Sequence, residues 1–448
     1  MIHRNRIITG IAALLLLAAG PLLAACAGDD DAGHDQLTRA DVEEIVEVAI
    51  ATLPASAAEA AAAPLRSDPE AYTRFMVASA IEMYESEGLV ATLVHYNGED
   101  SIDGQWYVFI TDRDDVLRAH AANPSLVGVP IAEVVGPNNV PAGAAVAAVG
   151  AEAGAWFSYT YPNPDTGVTE AKHSWMVRHD GLLFGSGWYE PGPPKSDAPA
   201  YTQAYVRGAI NLYDAVGRDA TLAYYNTAES IDGQWYMFII DESDTIVAHA
   251  ANEDLRGIPA AESLGPNDYP AGAAVAAAAA EAGAWLDFTY PNPATGGVET
   301  KHAWLVRHDG LVFGSGWYEP GPPKSDAPAY TQAFVQQAID LYNVLGRDAA
   351  VAYYSSEASV DDEWYVFIIG AEDGVTIGHP IPRFIGRDPS ERIDATGYFY
   401  GDEILAADES GRWVDYVLIN PATGDDRQKH TWVVLHDGLF FGSGWYEE

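Results

Sequence analysis

The chain has 448 residues, with 23 Lys and Arg against 65 Asp and Glu, and a formal net charge of −42. Proteins that bind nucleic acids neutralise phosphates with basic side chains, so this balance excludes a nucleic-acid role of that kind. Hydrophobic residues make up 48% of the chain, which also carries 12 Trp and 25 Tyr, a composition of folded domains rather than of a disordered acidic chain.

Residues 1–25 form a predicted signal peptide. Arg4 and Arg6 precede an apolar run at residues 7–25, and small residues then lead to Cys26, which is the pattern of a secretory signal. The tetrapeptide LAAC at residues 23–26 resembles the lipobox of bacterial lipoproteins, in which cleavage leaves the cysteine as the lipidated first residue. Cys26 is the only cysteine, which excludes disulfides, zinc-thiolate sites and cysteine nucleophiles from the rest of the chain. We therefore predict lipidation at Cys26 and an extracytoplasmic location, with an uncleaved membrane helix as the alternative.

Residues 26–67 are predicted to tether the folded domains to the lipid. A polar, Asp-rich stretch is followed by one amphipathic helix, for which Thr38 and Asp41 resemble a capping box and Pro54 ends the apolar pattern. An Ala-rich linker of low complexity follows. The apolar stripe of the helix is suited to packing against the first domain or to self-association.

One 12-residue sequence motif then occurs three times with a single variable position. HDGLLFGSGWYE at residues 179–190 returns as HDGLVFGSGWYE at residues 308–319 and as HDGLFFGSGWYE at residues 436–447. Its tryptophans, Trp188, Trp317 and Trp445, are 129 and 128 residues apart. A repeat of this length is a domain, whereas solenoid and propeller repeats span about 20 to 50 residues. We predict three domains, over residues 68–190, 197–319 and 326–448.

Each predicted domain repeats one order of elements. An amphipathic helix opens it, at about residues 72–87, 201–216 and 330–345, and a hairpin of two strands follows, with WYVFI or WYMFI in the first strand and a histidine at the end of the second. The first two domains then have an Ala-rich helix, and three antiparallel strands close each domain. In the last strand, a Gly-Ser-Gly segment indicates a close backbone approach or a space kept open above the sheet. This order predicts an α+β domain with a five-stranded sheet.

The connectors between the predicted domains are identical. EPGPPKSDAPAYTQA occupies residues 190–204 and again residues 319–333. Because proline fixes φ, we expect these segments to be stiff and to hold the domains apart as separate beads.

The succession DGQWYVFITDRDDVLRAHAANPSLVGVP, GAWFSYTYPNPDTG and KHSWMVRHDGLLFGSGWYE in the first domain resembles the type-2 single Cache domain, an extracytoplasmic sensor module of bacterial chemoreceptors and histidine kinases. The resemblance covers all three domains. It implies a PAS-like fold, with an N-terminal helix packed on a five-stranded antiparallel sheet and a pocket for small organic ligands, often short carboxylates, on the opposite face. The third domain lacks the Ala-rich segment and has Ile419 where the others have Tyr161 and Tyr290, so we expect its pocket wall to differ.

The positions of the lysines in the sequence indicate a candidate ligand-binding site. The chain has five lysines, of which two lie in the identical connectors and three occupy one equivalent strand position. In so acidic a chain, a cation on a central strand favours an anionic partner, either a ligand carboxylate or a neighbouring Asp. The predicted ligand-binding residues are the lysines, the hairpin histidines and the hairpin tryptophans: His120, Lys172 and Trp106; His249, Lys301 and Trp235; His379, Lys429 and Trp364.

Structural roles are the alternative for every one of these residues. The lysines are also suited to an internal ion pair or to a snorkelling surface position, and the histidines to packing. Trp and Tyr alternate along the first hairpin strand, so one set must face the helix and the other the pocket, and an aromatic core is the alternative to an aromatic pocket wall. No repeated acid-base pair, Ser-His-Asp order or metal motif is present, so we predict no catalytic residues, no metal and no cofactor.

Two functions follow from these patterns. The first is a lipid-anchored protein that binds small organic ligands in sensory or solute-binding fashion, without an output domain of its own, and that communicates with a separate membrane receptor or kinase. The second is a structural or protein-interaction lipoprotein that uses Cache folds as spacers. An enzyme is the third and weakest interpretation, since the sequence offers no candidate residues for catalysis.

Overall fold

The computed structural model describes residues 63–420 and 423–447. The predicted signal peptide, the lipidation site Cys26 and the amphipathic helix of the tether lie outside the described residues. Contacts divide the chain into Met1–Phe75 and Met76–Glu448. Helix α1, Pro69–Glu87, begins in the first of these parts and ends in the second.

Each repeat contains one five-stranded antiparallel sheet. The strands of the first unit are β1 (Phe109–Thr111), β2 (Leu117–His120), β3 (Ala155–Pro162), β4 (Thr169–His179) and β5 (Leu182–Glu190). Those of the second unit are β6 (Phe238–Ile240), β7 (Ile246–His249), β8 (Ala284–Pro291), β9 (Val298–His308) and β10 (Leu311–Glu319). Those of the third unit are β11 (Phe367–Gly370), β12 (Thr376–Gly378), β13 (Arg412–Ile419), β14 (Asp426–His436) and β15 (Leu439–Tyr446). In every sheet the strand order is second, first, fifth, fourth, third.

A helix opens each unit and is interrupted by a glycine. Helix α1 ends before Gly88 and α2, Leu89–Tyr96, continues the chain, whereas α4 (Ala198–Tyr225) and α6 (Ala327–Tyr354) contain Gly217 and Gly346. The three glycines have φ of 82°, 78° and 82°, which L residues rarely adopt. The predicted helices ended one residue before these glycines, so the short segment that follows each of them was missed.

The region between the second and third strands differs among the units. In the first two units it contains an Ala-rich helix, α3 (Ala142–Val149) or α5 (Ala271–Ala278). In the third unit the five-residue helix α7 (Gly401–Leu405) takes its place, after two short 3₁₀ turns.

The two faces of each sheet have different partners. In the second unit, α4 lies against β9 and β10. Its residues Val206 and Leu212 share a buried cluster with Met237 and Phe313 from one face of the sheet. The alternate strand residues, such as Phe238, belong to a second cluster that includes residues of α5. One face therefore packs on the long helix, and the other is covered by the Ala-rich helix and its loops.

Neighbouring units share their cores. The cluster that holds α4 also contains Val146 and Phe157 of the first unit, and α3 contacts α4 directly. The Tyr224 hydroxyl donates a hydrogen bond of 3.0 Å to the Asn138 carbonyl of the first unit, and Tyr353 repeats this contact to Asn267 at 2.9 Å. The units are packed against one another and are not the separate beads that the connectors suggested, because each long helix has a second apolar side.

No helix within residues 63–420 and 423–447 has both the length and the apolar character needed to cross a membrane.

Candidate ligand pockets

A small cavity lies in each unit on the sheet face opposite the long helix. The cavities have volumes of about 30 Å³, 40 Å³ and 40 Å³ in the first, second and third units. Equivalent residues line the first two. In the second unit they include an aromatic pair, a histidine, a second tyrosine and a lysine: Tyr236, Phe238, His249, Tyr290 and Lys301.

Strand pairing brings these side chains together. Lys301 on β9 is the register partner of Phe288 on β8 and of Tyr318 on β10. Phe238 on β6 is the partner of His249, the last residue of β7. Because residues that are directly opposite in an antiparallel pair project to the same face, the lysine, the histidine and the aromatic rings all reach one side of the sheet.

The Gly-Ser-Gly segment of the last strand makes room for these residues. A Cβ at Gly314 would stand 2.2 Å from the Phe238 ring, and a Cβ at Gly185 would stand 2.1 Å from the Phe109 ring. A Cβ at Gly187 would stand 3.0 Å from Cε of Lys172. The two glycines of the Gly-Ser-Gly segment thus allow the pocket phenylalanine and lysine to lie close against the sheet. This is the close backbone approach that the sequence indicated.

The pocket lysine is fully enclosed in each unit. Lys172, Lys301 and Lys429 are 1%, 1% and 0% exposed. Their Nζ atoms donate hydrogen bonds of 2.6, 2.7 and 2.7 Å to the hydroxyls of the hairpin tyrosines Tyr107, Tyr236 and Tyr365. Among the described residues, no carboxylate forms an ion pair with any of the three lysines.

Burial without a carboxylate partner lowers the lysine pKa. The pKa values of Lys172 and Lys301 lie well below the usual 10.5 because the charged form is desolvated. Burial lowers the pKa of Lys429 to about 7, and the negative charge of Glu363 opposes this effect. The first and second units have Gln105 and Gln234 at the position of Glu363. In these two units the protonated form of the lysine therefore has no equivalent carboxylate to stabilise it.

The pocket histidine is neutral and has one defined tautomer. His249 Nδ1 accepts a hydrogen bond of 3.0 Å from the Asn252 backbone N–H, and His120 and His379 accept equivalent bonds of 2.9 Å. Burial lowers the pKa of all three histidines to about 3, and the nearby lysine charge adds to this. Since Nδ1 is the acceptor, Nε2 carries the proton and remains a donor for a ligand.

The tryptophans predicted to bind ligand lie on the other face of the sheet. Trp235 Nε1 donates a hydrogen bond of 2.8 Å to Thr202 Oγ1 on α4, and Trp364 bonds in the same way to Thr331 on α6 at 2.8 Å. Trp106 is buried and does not line the cavity of its unit. The adjacent tyrosines take the pocket position, because successive residues in an extended segment project to opposite sides. We therefore leave Trp106, Trp235 and Trp364 out of the proposed site.

The third cavity has a different wall. It is lined by Tyr365, Phe367 and His379 from the sheet region, as in the other units, and by Arg387 and Arg392 from the loop that replaces the Ala-rich helix. Lys429 lies behind Tyr365 and does not line this cavity. Sequence reasoning missed the two arginines because they have no counterparts in the other repeats. Their concentration in the one divergent segment was the available signal.

Within the described parts of the chain, no group of three or more His, Cys, Asp or Glu side chains is arranged to hold a metal ion.

Comparison with known proteins gives structural matches alone. No family model and no curated protein matches the chain. A methyl-accepting chemotaxis protein from Vibrio parahaemolyticus is 16% identical over 34% of this chain and 94% of that chain, with a TM-score of 0.24. A Cache chemosensory domain studied for carboxylic acid recognition is 20% identical over 35% of this chain and 99% of that chain, with a TM-score of 0.20. The ligand-binding domain of the Campylobacter jejuni chemoreceptor Tlp3, in complex with 4-methylisoleucine, is 11% identical over 55% and 80% of the two chains, with a TM-score of 0.20.

At these TM-scores the fold assignment rests on the elements themselves. Each unit has an opening helix on one face of a five-stranded antiparallel sheet and a cavity on the other face. The helix and sheet are the α+β, PAS-like arrangement that the sequence predicted. The described residues thus form three α+β units of this PAS-like arrangement in tandem.

Proposed function

We propose that the first two domains bind a small organic anion, such as a short carboxylate, on the extracytoplasmic side of a membrane to which Cys26 anchors the chain by lipid. One observation carries this proposal, which is that a fully buried lysine faces a small cavity in each domain without a carboxylate partner. A ligand carboxylate would supply the missing negative charge.

The energetics of the lysine support a ligand rather than a structural role. An ammonium that is withdrawn from water destabilises the folded state unless an opposite charge compensates it. Lys301 Nζ lies 3.9 Å from the centroid of the Tyr236 ring and 4.9 Å from that of Phe238, so cation–π attraction offsets a part of the desolvation. A neutral ring cannot replace a counter-charge, and a bound anion can.

The size of the cavity restricts the ligand. The second cavity has a volume of about 40 Å³. A cavity needs roughly 10–15 Å³ by this measure to hold one water molecule, so the space suits about three water-sized groups. A carboxylate of two or three carbon atoms fits this limit. The His249 Nε2–H provides a second donor beside the lysine.

The sensory part of the proposal rests on the resemblance of the sequence to Cache modules. In this proposal, ligand occupancy is communicated to a separate membrane receptor or kinase. The competing function is a scaffold that uses the same folds as spacers, and ligand binding separates the two.

The test is a ligand screen on the full-length chain in detergent, by thermal shift and titration calorimetry with acetate, propionate, lactate and alanine. A ligand at about 100 times its dissociation constant adds roughly 2.7 kcal/mol to the stability of the native state. We expect the double variant Lys172→Met/Lys301→Met to lose two binding sites.

Lys195→Met is the matched control. Lys195 lies in a connector and pairs with Asp232 at the surface, with a distance of 2.5 Å between Nζ and Oδ1. Its substitution should leave binding unchanged. A well-folded chain that responds to none of these ligands would favour the scaffold.

A further inference from the structure

The third pocket contains two arginines that the other pockets lack. Arg387 and Arg392 both line its cavity, together with Phe384, Tyr400 and Tyr416. The corresponding wall in the first domain is formed by apolar residues and glycine, including Ile131, Val134, Gly143 and Val146. The replacement therefore changes the charge of the wall as well as its shape.

Arg392 has an unused donor inside the protein. Its side chain is buried, with the residue 3% exposed, and its Nη2 atom donates to the Gly374 carbonyl at 2.6 Å and to Thr376 Oγ1 at 3.0 Å. The other terminal nitrogen, Nη1, is buried and has no hydrogen-bond partner among the described residues. Buried guanidinium nitrogens are ordinarily hydrogen-bonded, so this atom has the geometry of a ligand donor.

Arg387 is held at the same wall. Its Nη1 donates a hydrogen bond of 3.1 Å to the Tyr400 hydroxyl, its Nη2 bonds to the Glu391 carbonyl, and its guanidinium lies 5.5 Å from the centre of the Phe384 ring. Within the described residues neither arginine forms an ion pair. The exposed Asp388 attracts Arg392 electrostatically without forming an ion pair with it among the described residues.

The lysine of this domain has a carboxylate in its electrostatic surroundings, although the two described side chains form no ion pair. Glu363 stands where the other domains have glutamine, and it acts electrostatically on Lys429, which lies behind Tyr365. The cavity is thus left with two guanidinium groups that form no ion pair with any carboxylate of the described residues. Guanidinium binds carboxylate and phosphate oxygens in planar, two-pronged geometry.

We propose that the third domain binds a small organic dianion through Arg387 and Arg392, and that its specificity differs from that of the monoanion pockets of the first two domains. The inference deepens the proposed function, since it names a second ligand class for the same family of pockets. It relies on the arginines and not on the buried lysine.

The test uses the full-length Lys172→Met/Lys301→Met chain, in which the lysines of the first two pockets are removed. Titration calorimetry with oxalate, malonate, inorganic phosphate and acetate, all of which respect the size limit of a cavity of about 40 Å³, should show at least one dianion binding about tenfold more tightly than acetate, since one further ion-paired hydrogen bond is worth this factor or more. Comparing the affinities for the dicarboxylates with the affinity for phosphate shows whether the pocket prefers a dicarboxylate or a phosphate group.

Arg392→Met, introduced into the chain that keeps both lysines, should reduce the dianion affinity by tenfold or more while acetate binding to the first two pockets stays the same. Arg387→Gln, which removes the positive charge, the hydrogen bonds to Tyr400 and to the Glu391 carbonyl, and the contact with the Phe384 ring, provides the same readout if the first variant does not fold. Equal affinities for acetate and for every dianion in the unsubstituted third pocket would overturn the inference. That result would leave the lysine-based proposal intact. Conversely, an unsubstituted chain whose first two pockets bind no acetate, while the third pocket binds a dianion, would overturn only the lysine-based proposal.

Discussion

The ammonium of Lys301 is a destabilising group in a folded protein. It is 1% exposed, it donates to a tyrosine hydroxyl, and no carboxylate of the described residues pairs with it. If this position had only a structural role, an apolar side chain of similar length would make the folded protein more stable than lysine does. A residue that binds an anion must instead keep its charge, and the free protein then has lower stability.

Lys301→Met should therefore stabilise the ligand-free chain, by about 1–3 kcal/mol near pH 6. The pKa of Lys301 is lower in the folded than in the unfolded state, so the unfolded state binds more protons between the lowered value and the usual 10.5. The stability of the unsubstituted protein rises with pH across that window, and the gain from methionine shrinks accordingly. Denaturant unfolding at pH 6 and pH 10 measures this, with Lys195→Met as control. A loss of stability at pH 6 would indicate that the lysine is structural.

At the scale of the element, alternation along strands and interruption of helices determine which residues meet. Gly217 divides α4 with φ of 78° and ψ of 177°, a backbone region that is essentially restricted to glycine. Gly208 lies in the same helix without a positive φ. At both positions a Cβ would meet no atom within 4 Å. Because both positions have room for a Cβ, a difference in stability between alanine substitutions at Gly217 and Gly208 reports on backbone conformation alone.

Gly217→Ala should destabilise the protein by about 1–3 kcal/mol, because alanine is strained in that conformation. Gly208→Ala should stabilise it by about 0.5–1 kcal/mol, because alanine loses less backbone entropy than glycine within a helix. Thermal unfolding of the two variants measures both effects. Changes of the same sign would contradict the proposed role of the helix break.

The sequence was sufficient for the number of domains, the five-stranded sheets and the Ala-rich helices, because repeated phrases and alternating patterns are local. The rarity of lysine in this chain also drew attention to Lys301, which lines the cavity of the second unit and whose role in ligand binding stays a prediction. The sequence could not decide between Trp235 and Tyr236, since alternation shows that they face opposite sides and leaves open which side carries the helix. That information lies in the Trp235–Thr202 hydrogen bond, between residues 33 positions apart in sequence.

At the scale of the whole molecule, the domains are joined by shared cores. Helix α4 packs on its own sheet and on α3 of the preceding domain, and α6 repeats this arrangement with α5. Small side chains on the Ala-rich helices allow this close approach. Units that share buried apolar surface unfold together, as single domains do.

We expect the unsubstituted chain to unfold in one main calorimetric transition. Tyr224→Ala removes the hydrogen bond from Tyr224 to the Asn138 carbonyl and part of the contact between the first two domains, so it should broaden the transition or divide it. Arg207→Ala, at an exposed position of the same helix, is the control and should leave the transition unchanged. Separate transitions in the unsubstituted chain would show that the shared cores are too weak to couple the domains.

The shared helices also mean that the boundaries of the sequence repeat differ from the boundaries of a unit whose apolar surfaces are all covered. A fragment cut at the predicted boundaries, residues 197–319, would keep its sheet and its lysine but would expose the side of α5 that α6 covers. A fragment extended to residue 354 would retain that cover, because α6 ends at Tyr354. The smallest fragment of the chain that preserves the second pocket is thus longer than one repeat by a helix that the sequence assigns to the next domain.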